Sequence, residues 1–214
     1  MEIYMSEEER LEALKKWWKE NARAILIGIS LGLAVIAGWN TWQNTQLRKS
    51  EEASGVFQQL LKAVEGKQTE PATKLSERLI ENYQGSTYAT YGALFLAKLK
   101  ADAGDLSGAK KILQDLLAAT KDENIKHIAR LRLGRVMLAQ GESEAALPLL
   151  EPLKRDQMGE FESQYEDLKG DLYVDLHRYK DAKIAYEKAM QEGEATPMLE
   201  IKINSLPDEP VAKP

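Results

Sequence analysis

Along the chain, one long stretch carries no charge, and the remainder sets apolar and polar positions at helical spacing. From Ala24 to Leu47 no Asp, Glu, Lys or Arg occurs, with Arg23 before the stretch and Arg48 and Lys49 after it. Its first part, Ala24-Ile-Leu-Ile-Gly-Ile-Ser-Leu-Gly-Leu-Ala-Val-Ile-Ala-Gly38, is almost wholly apolar. As a helix, Ala24 to Trp42 would run roughly 28 Å at about 1.5 Å per residue, matching the ~30 Å hydrocarbon core of a bilayer. Trp17 and Trp18 precede the stretch, Trp39 and Trp42 close it, and the chain has no other tryptophan. Indole rings settle at the headgroup level because their bulk is apolar while their N–H wants a polar partner. The pattern predicts a transmembrane helix over residues 24–42, in contact with membrane lipid and anchored by these four rings.

A soluble core helix of this length would carry a polar face, and an interfacial helix a charged one; residues 24–42 have neither. A cleaved signal peptide is the remaining alternative, since Val35-Ile-Ala37 has the small-residue spacing of a cleavage site. The region ahead of the stretch, however, is long and holds Glu7, Glu8, Glu9, Glu12 and Glu20, whereas a signal peptide opens on a short basic stub. An uncleaved anchor is the favoured reading. Arg10, Lys15, Lys16, Lys19 and Arg23 on the N-terminal side outnumber Arg48, Lys49 and Lys62 on the other, which places the N-terminus in the cytoplasm and exports the rest. Gly28 and Gly32, four residues apart, form a small-residue stripe, with Ser30, Ala34 and Gly38 on a neighbouring one; a second membrane helix would pack closely there, or the small residues simply suit a lone span. Gly28-Ile-Ser30-Leu-Gly32 also fits the G-x-S-x-G elbow of serine hydrolases, but that elbow follows a strand and needs Asp and His partners. A serine inside an apolar helix is not such an elbow. Residues 1–23 read as a short amphipathic segment near the headgroups, opened by the capping-box form Ser6-Glu-Glu-Glu9.

Beyond residue 43 the apolar spacing is helical, with breaks near Gly66, Gly85, Gly104, Asp122–Asn124, Gly141, Gly159 and His177, so about eight helices follow. The breaks hide a repeat. Ala72, Ala109, Ala146 and Ala182 lie 37, 37 and 36 residues apart; twelve positions before them stand Leu60, Ala97, Gly134 and Gly170, and seven after them Leu79, Leu116, Leu153 and Ala189. This resembles the tetratricopeptide pattern, in which small residues let two helices of a hairpin pack closely and hairpins stack into one core. The predicted fold is all-α: a single N-terminal transmembrane helix followed by a tetratricopeptide-like helical-hairpin solenoid. Its parts are a cytoplasmic segment (1–23), the span (24–42), the exported domain (43–206) and a proline-rich disordered tail (207–214).

Stacked first helices line a concave face, a candidate protein-binding surface that the repeat maps to Phe57, Leu61, Tyr91, Leu94, Lys98, Ile128, Leu131, Arg135, Leu138, Asp167 and Asp171. Either this groove takes a partner segment, or Met198-Leu-Glu-Ile-Lys-Ile-Asn-Ser-Leu206 fills or caps it from within, as a helix or as a strand.

Composition narrows the function. A net charge of −5 over 214 residues speaks against a nucleic-acid partner, which would need a basic surface. There is no cysteine and there are two histidines, His127 and His177, each explained as a repeat residue near a turn. No phosphate loop or dinucleotide fingerprint occurs. The expectation is a non-enzyme with no catalytic residue, metal, cofactor or small-molecule substrate.

Six segments carry a family resemblance: Met1-Glu-Ile-Tyr4, Leu14-Lys-Lys-Trp-Trp-Lys-Glu-Asn21, Gly38-Trp-x-x-Trp42, Asp122-Glu-Asn-Ile-Lys126, Leu131-Arg-Leu-Gly-Arg-Val136 and Lys202-Ile-Asn-x-Leu206. Together they resemble the YfgM family over nearly the whole chain. The resemblance implies an ancillary subunit of the SecYEG translocon, single-pass in the bacterial inner membrane with its repeat domain in the periplasm. It further implies partnership with a PpiD-type periplasmic chaperone and the passing of secretory proteins to periplasmic chaperones. Two other roles stand beside this one: a chaperone holding unfolded clients in the concave groove, and an envelope-stress regulator acting through residues 1–23.

Overall fold

A computed structural model describes residues 7–150, 158–193 and 196–207. Met1–Tyr4 of the family resemblance, Leu153 of the repeat and the tail after Pro207 lie outside the described residues. By its contacts the chain divides into two compact units, Met1–Glu52 and Ala53–Pro214.

The described part of the first unit is helix. It belongs to α1 (Glu7–Glu65), whose first turn carries Glu7, Glu8 and Glu9, where carboxylates face the positive end of the helix dipole. The helix runs without interruption through residues 23–24 and 42–43, the expected edges of the span.

Among the described residues, the second unit takes the last turns of α1 and eight further helices: α2 (Thr69–Asn82), α3 (Thr87–Asp102), α4 (Leu106–Ala119), α5 (Glu123–Ala139), α6 (Ser143–Leu150), α7 (Glu162–Asp175), α8 (Tyr179–Glu192) and α9 (Pro197–Asn204). One turn of 3-10 helix, Gly159–Phe161, leads into α7. Every break expected from sequence falls at a helix border, and a further one, after Glu192, separates α9. Among the described residues there is no strand.

Four hairpins follow one another: the end of α1 with α2, then α3 with α4, α5 with α6, and α7 with α8. Each turns through the same local structure, five residues before the repeat alanine. Lys67, Gly104, Gly141 and His177 adopt φ of 52°, 81°, 72° and 57°. The next residues, Gln68, Asp105, Glu142 and Arg178, donate their amides to Ala63, Lys100, Met137 and Tyr173 at 2.8, 2.9, 2.9 and 2.8 Å. A left-handed residue followed by this long backward bond is the Schellman stop, which satisfies the orphan carbonyls of the ending helix. The carbonyls of those four residues then accept from Ala72, Ala109, Ala146 and Ala182, each at 3.0 Å, so one residue both ends the first helix and opens the second. The 37-residue register read from the alanines is thus written into the backbone.

The alanines themselves are fully enclosed, all at 0 % exposure. Glycines on first helices allow close approach of neighbouring side chains: a Cβ on Gly134 would meet Leu168 Cδ2 at 2.9 Å, one on Gly92 would meet Leu79 at 2.9 Å, and one on Gly170 would overlap the Tyr186 ring. The core runs along the stack in three clusters. Ala53, Val56 and Leu60 pack with Ala72 and Leu79 at one end; Ala97, Leu113, Leu133, Leu150, Leu168 and Leu172 share the middle. At the far end Ala182, Tyr186, Ala189 and Leu199 are buried together.

At two of the four turns the left-handed residue is not glycine, and a side chain there is strained by roughly 1–2 kcal/mol. His177→Gly should therefore raise stability by about 0.5–1 kcal/mol after the entropy glycine adds to the unfolded chain, while His177→Ala should not. Thermal unfolding of the two variants side by side checks this; equal effects would mean the turn stores no strain.

Candidate functional site

Two surfaces require an explanation, one in each unit. In the first, the large apolar side chains of α1 have no cover: Leu26, Ile27, Ile29, Leu31, Leu33, Val35 and Ile36 are all more than half exposed. A contiguous apolar surface of this size does not face water in a stable monomer. Trp17, Trp18, Trp39 and Trp42 are 52–60 % exposed, with the rings of Trp39 and Trp42 5.3 Å apart. The few polar side chains of the stretch turn back on their own helix. Ser30 Oγ donates to the Leu26 carbonyl and Thr41 Oγ1 to that of Ala37, both at 2.8 Å, as suits hydroxyls with no water to bond. Ser30 lies inside a continuous helix, not at a strand-to-helix elbow. Nothing stands within 4 Å of a Cβ placed on Gly28, Gly32 or Gly38, so the helix surface at each is open to a neighbour, and Ala34 is exposed too. This is the one helix among the described residues long and apolar enough to cross a membrane.

The second surface is the face mapped by the repeat, and the structure corrects part of it. Leu94 and Leu131 are 6 % and 2 % exposed, members of the middle core rather than of an open groove. The reason is steric: a first helix is squeezed between its own partner and the neighbouring hairpins, so its buried arc is wider than an exposed helix would have. Arg132 covers Leu94, donating from Nη1 to the Leu94 carbonyl at 3.0 Å. Ile128 and Leu138 are half-buried against the same core. Phe57 is half-buried and Tyr91 exposed; with Tyr88 and Phe95, which the repeat mapping missed, they form an aromatic cluster with centroid distances of 5.6–6.1 Å around Phe57. Tyr88 and Phe95 lie three and four positions from Tyr91, the helical spacing that would have found them. Leu61 is half-buried, Arg135 is exposed, and Lys98 pairs in solvent with Asp102 at 2.5 Å.

The acidic end of this face already has an occupant. Lys202 of α9 reaches Asp167 at 2.7 Å and Asp171 at 2.6 Å, and Tyr186 donates its hydroxyl to Asp171 at 2.8 Å. Leu199 is buried beneath, with Ile203 and Leu206 alongside. Residues 198–206 thus close the last hairpin from within, mostly as helix. Thr196 caps that helix and Pro197 opens it, which decides against a strand.

The histidines separate. His177 is the turn residue already described. His127 lies inside α5, buried, its Nδ1 3.0 Å from the Tyr165 hydroxyl and its ring stacked on Phe161. Among the described residues no group of His, Asp or Glu is arranged to hold a metal ion.

Residues 15–208 match the family described as a tetratricopeptide repeat-like domain. A protein of Escherichia coli K12 named ancillary SecYEG translocon subunit is 31 % identical over 210 residues, covering 96 % of this chain and 99 % of that one. The chain belongs to that family. The Haemophilus influenzae protein of the same name is 31 % identical over 209 residues, 96 % of this chain and all of its own. A solved structure titled MamA RS-1 ArsTM double mutant shares the fold at a TM-score of 0.58, covering 72 % of this chain and 81 % of its own at 16 % identity. Membership joins the two surfaces: a translocon-subunit family with one uncovered apolar helix and a tetratricopeptide-like domain fits a single pass through the inner membrane.

Burial opposes the charge of Lys202, but its hydrogen bonds to Asp167 and Asp171 outweigh that and hold its pKa above the ordinary lysine value. Burial, with Asp171 beside it, also holds the Tyr186 hydroxyl up. Both folded-state values are raised, so the stabilisation is complete below about pH 10 and is lost as pH rises through them. Hydrogen exchange of residues 197–206 should stay slow from pH 7 to 9 relative to the intrinsic rate, and protection should fall in Lys202→Met. Unchanged protection in that variant would show that apolar packing alone holds α9.

Proposed function

We propose that this protein is a non-catalytic, membrane-anchored subunit of the SecYEG translocon. Its N-terminus lies in the cytoplasm, and its repeat domain in the periplasm contacts partner proteins, among them a PpiD-type chaperone that receives exported chains. The observation that carries this reading is the joining, in one chain of a translocon-subunit family, of an uncovered apolar helix to a stack of hairpins whose enclosed positions serve packing. The apolar helix keeps the domain beside the membrane channel, and the domain offers surface rather than chemistry. Burial of Leu94 and Leu131 argues against the concave groove as a holder of unfolded clients, because the apolar lining such a groove needs is spent on the core.

Affinity purification in a gentle detergent, from cells at native expression, should recover SecY and the chaperone by immunoblot. Gly28→Ile with Gly32→Ile should cut the recovery of SecY several-fold at unchanged abundance if the small-residue face of the span packs on the channel. Recovery of neither partner with the unaltered protein would contradict the reading.

A further inference from the structure

On the side away from the first-helix face, α2 and α4 each pack on α3 but not closely on one another. Between them lies a groove of about 580 Å³. Its floor is Ala89, Ala93 and Leu96 of α3; Ile80 of α2 and Ile112 and Leu116 of α4 form its walls. The floor is low because of two alanines. One repeat of 37 residues further on, the same positions hold Lys126 and Arg130, long side chains that reach Glu123 and the Tyr165 hydroxyl. Alanine at 89 and 93 leaves that volume empty.

The rim is of one sign. Glu77 and Glu81, one turn apart on α2, and Asp115 on α4 are exposed at its edges, and no Lys or Arg lines the groove. None of the three accepts a hydrogen bond from a described basic side chain, although Lys74 and Arg78 share α2 with the two glutamates and Lys111 stands one turn before Asp115; Lys74 is bonded to Glu70 at 2.6 Å. A groove with three carboxylates and no Lys or Arg in its lining favours basic segments over acidic ones, and water-exposed charges set which partner docks more than how tightly. The two walls are helices of 14 residues each, roughly 21 Å long at 1.5 Å per residue, the length of a partner helix of about four turns laid alongside.

We propose that the groove between α2 and α4 is a docking site for a basic amphipathic helix of a partner protein, its apolar side chains between the half-buried Ile80 and Ile112 above the alanine floor and its Lys or Arg side chains on Glu77, Glu81 and Asp115. This deepens the proposed function, since it rests on the repeat domain acting through protein contacts, and it assigns that contact to the face opposite the expected one.

The full-length protein in detergent micelles is titrated with two labelled synthetic peptides of 14 residues. Both present Leu at helical spacing; one carries Lys on the flanks and the other Glu. Fluorescence anisotropy should show binding of the Lys peptide that weakens with salt, and no binding of the Glu peptide. In Glu77→Lys/Glu81→Lys/Asp115→Lys, affinity for the Lys peptide should fall at least about tenfold and the Glu peptide should now bind, which a merely damaged fold would not produce. A photoreactive residue at Thr90, beside the groove floor, should crosslink to the Lys peptide, and one at Tyr91, among the aromatic cluster, should not. Equal binding of both peptides, unchanged affinity in the triple variant, crosslinking at Tyr91 instead of Thr90, or self-association abolished by the triple substitution would each overturn the proposal. The proposed function fails separately, when the unaltered protein recovers no translocon subunit from cells; with that recovery intact, a null peptide result sinks the groove alone.

Discussion

Four alanines, one on the second helix of each hairpin, sit where no larger side chain fits, and the backbone turn five residues earlier aims each one there. Ala72, Ala109, Ala146 and Ala182 are fully enclosed, and each follows the same left-handed stop and shared carbonyl. The turn fixes the angle at which the second helix returns, and the enclosed alanine leaves room for the approach that the angle demands. A single hairpin exposes most of its apolar surface, so the energetic reward comes only when copies stack. The stack here closes at one end on the last turns of α1 and at the other on α9, whose Lys202 pairs with both Asp167 and Asp171.

This economy has a consequence for function. Leu94, Leu131, Leu133, Leu168 and Leu172 are all consumed by packing between hairpins, leaving the first-helix face with aromatic and charged groups and little free aliphatic surface. Apolar surface lies open on α1, where lipid covers it under the anchored reading, and between α2 and α4 a groove remains where Ile80 and Ile112 are half-buried and alanines stand at the positions of long side chains in the next repeat. In both places small residues make room rather than fill it.

Much of this was legible from sequence because it is local or periodic. The uncharged run with tryptophans at both ends, the spacing of the alanines and each glycine or histidine break follow from neighbours along the chain. The division of α3 and α5 into buried and open arcs did not. Leu94 and Leu131 share their helical face with Tyr91 and Arg135, and periodicity alone cannot say how far round the helix the next hairpin reaches. The pairing of Lys202 with Asp167 and Asp171 spans more than thirty residues and two turns, so only the folded chain brings it together. Tyr88 and Phe95 were within reach of the helical spacing around Tyr91 but were hidden by a mapping that followed repeat positions rather than local clusters. The hollow above Ala89 and Ala93 was hidden because small residues read as packing positions whether or not anything packs on them.

The register claim meets its most direct test in Ala109→Leu and Ala146→Leu compared with Ala118→Leu, an exposed position of α4. Thermal unfolding of the full-length protein, followed by circular dichroism, should show each enclosed substitution losing about 1–3 kcal/mol through overpacking, with the midpoint falling by roughly 4 °C or more. Ala118→Leu should leave it in place. Three superimposable unfolding curves would mean that the hairpins do not meet at these alanines.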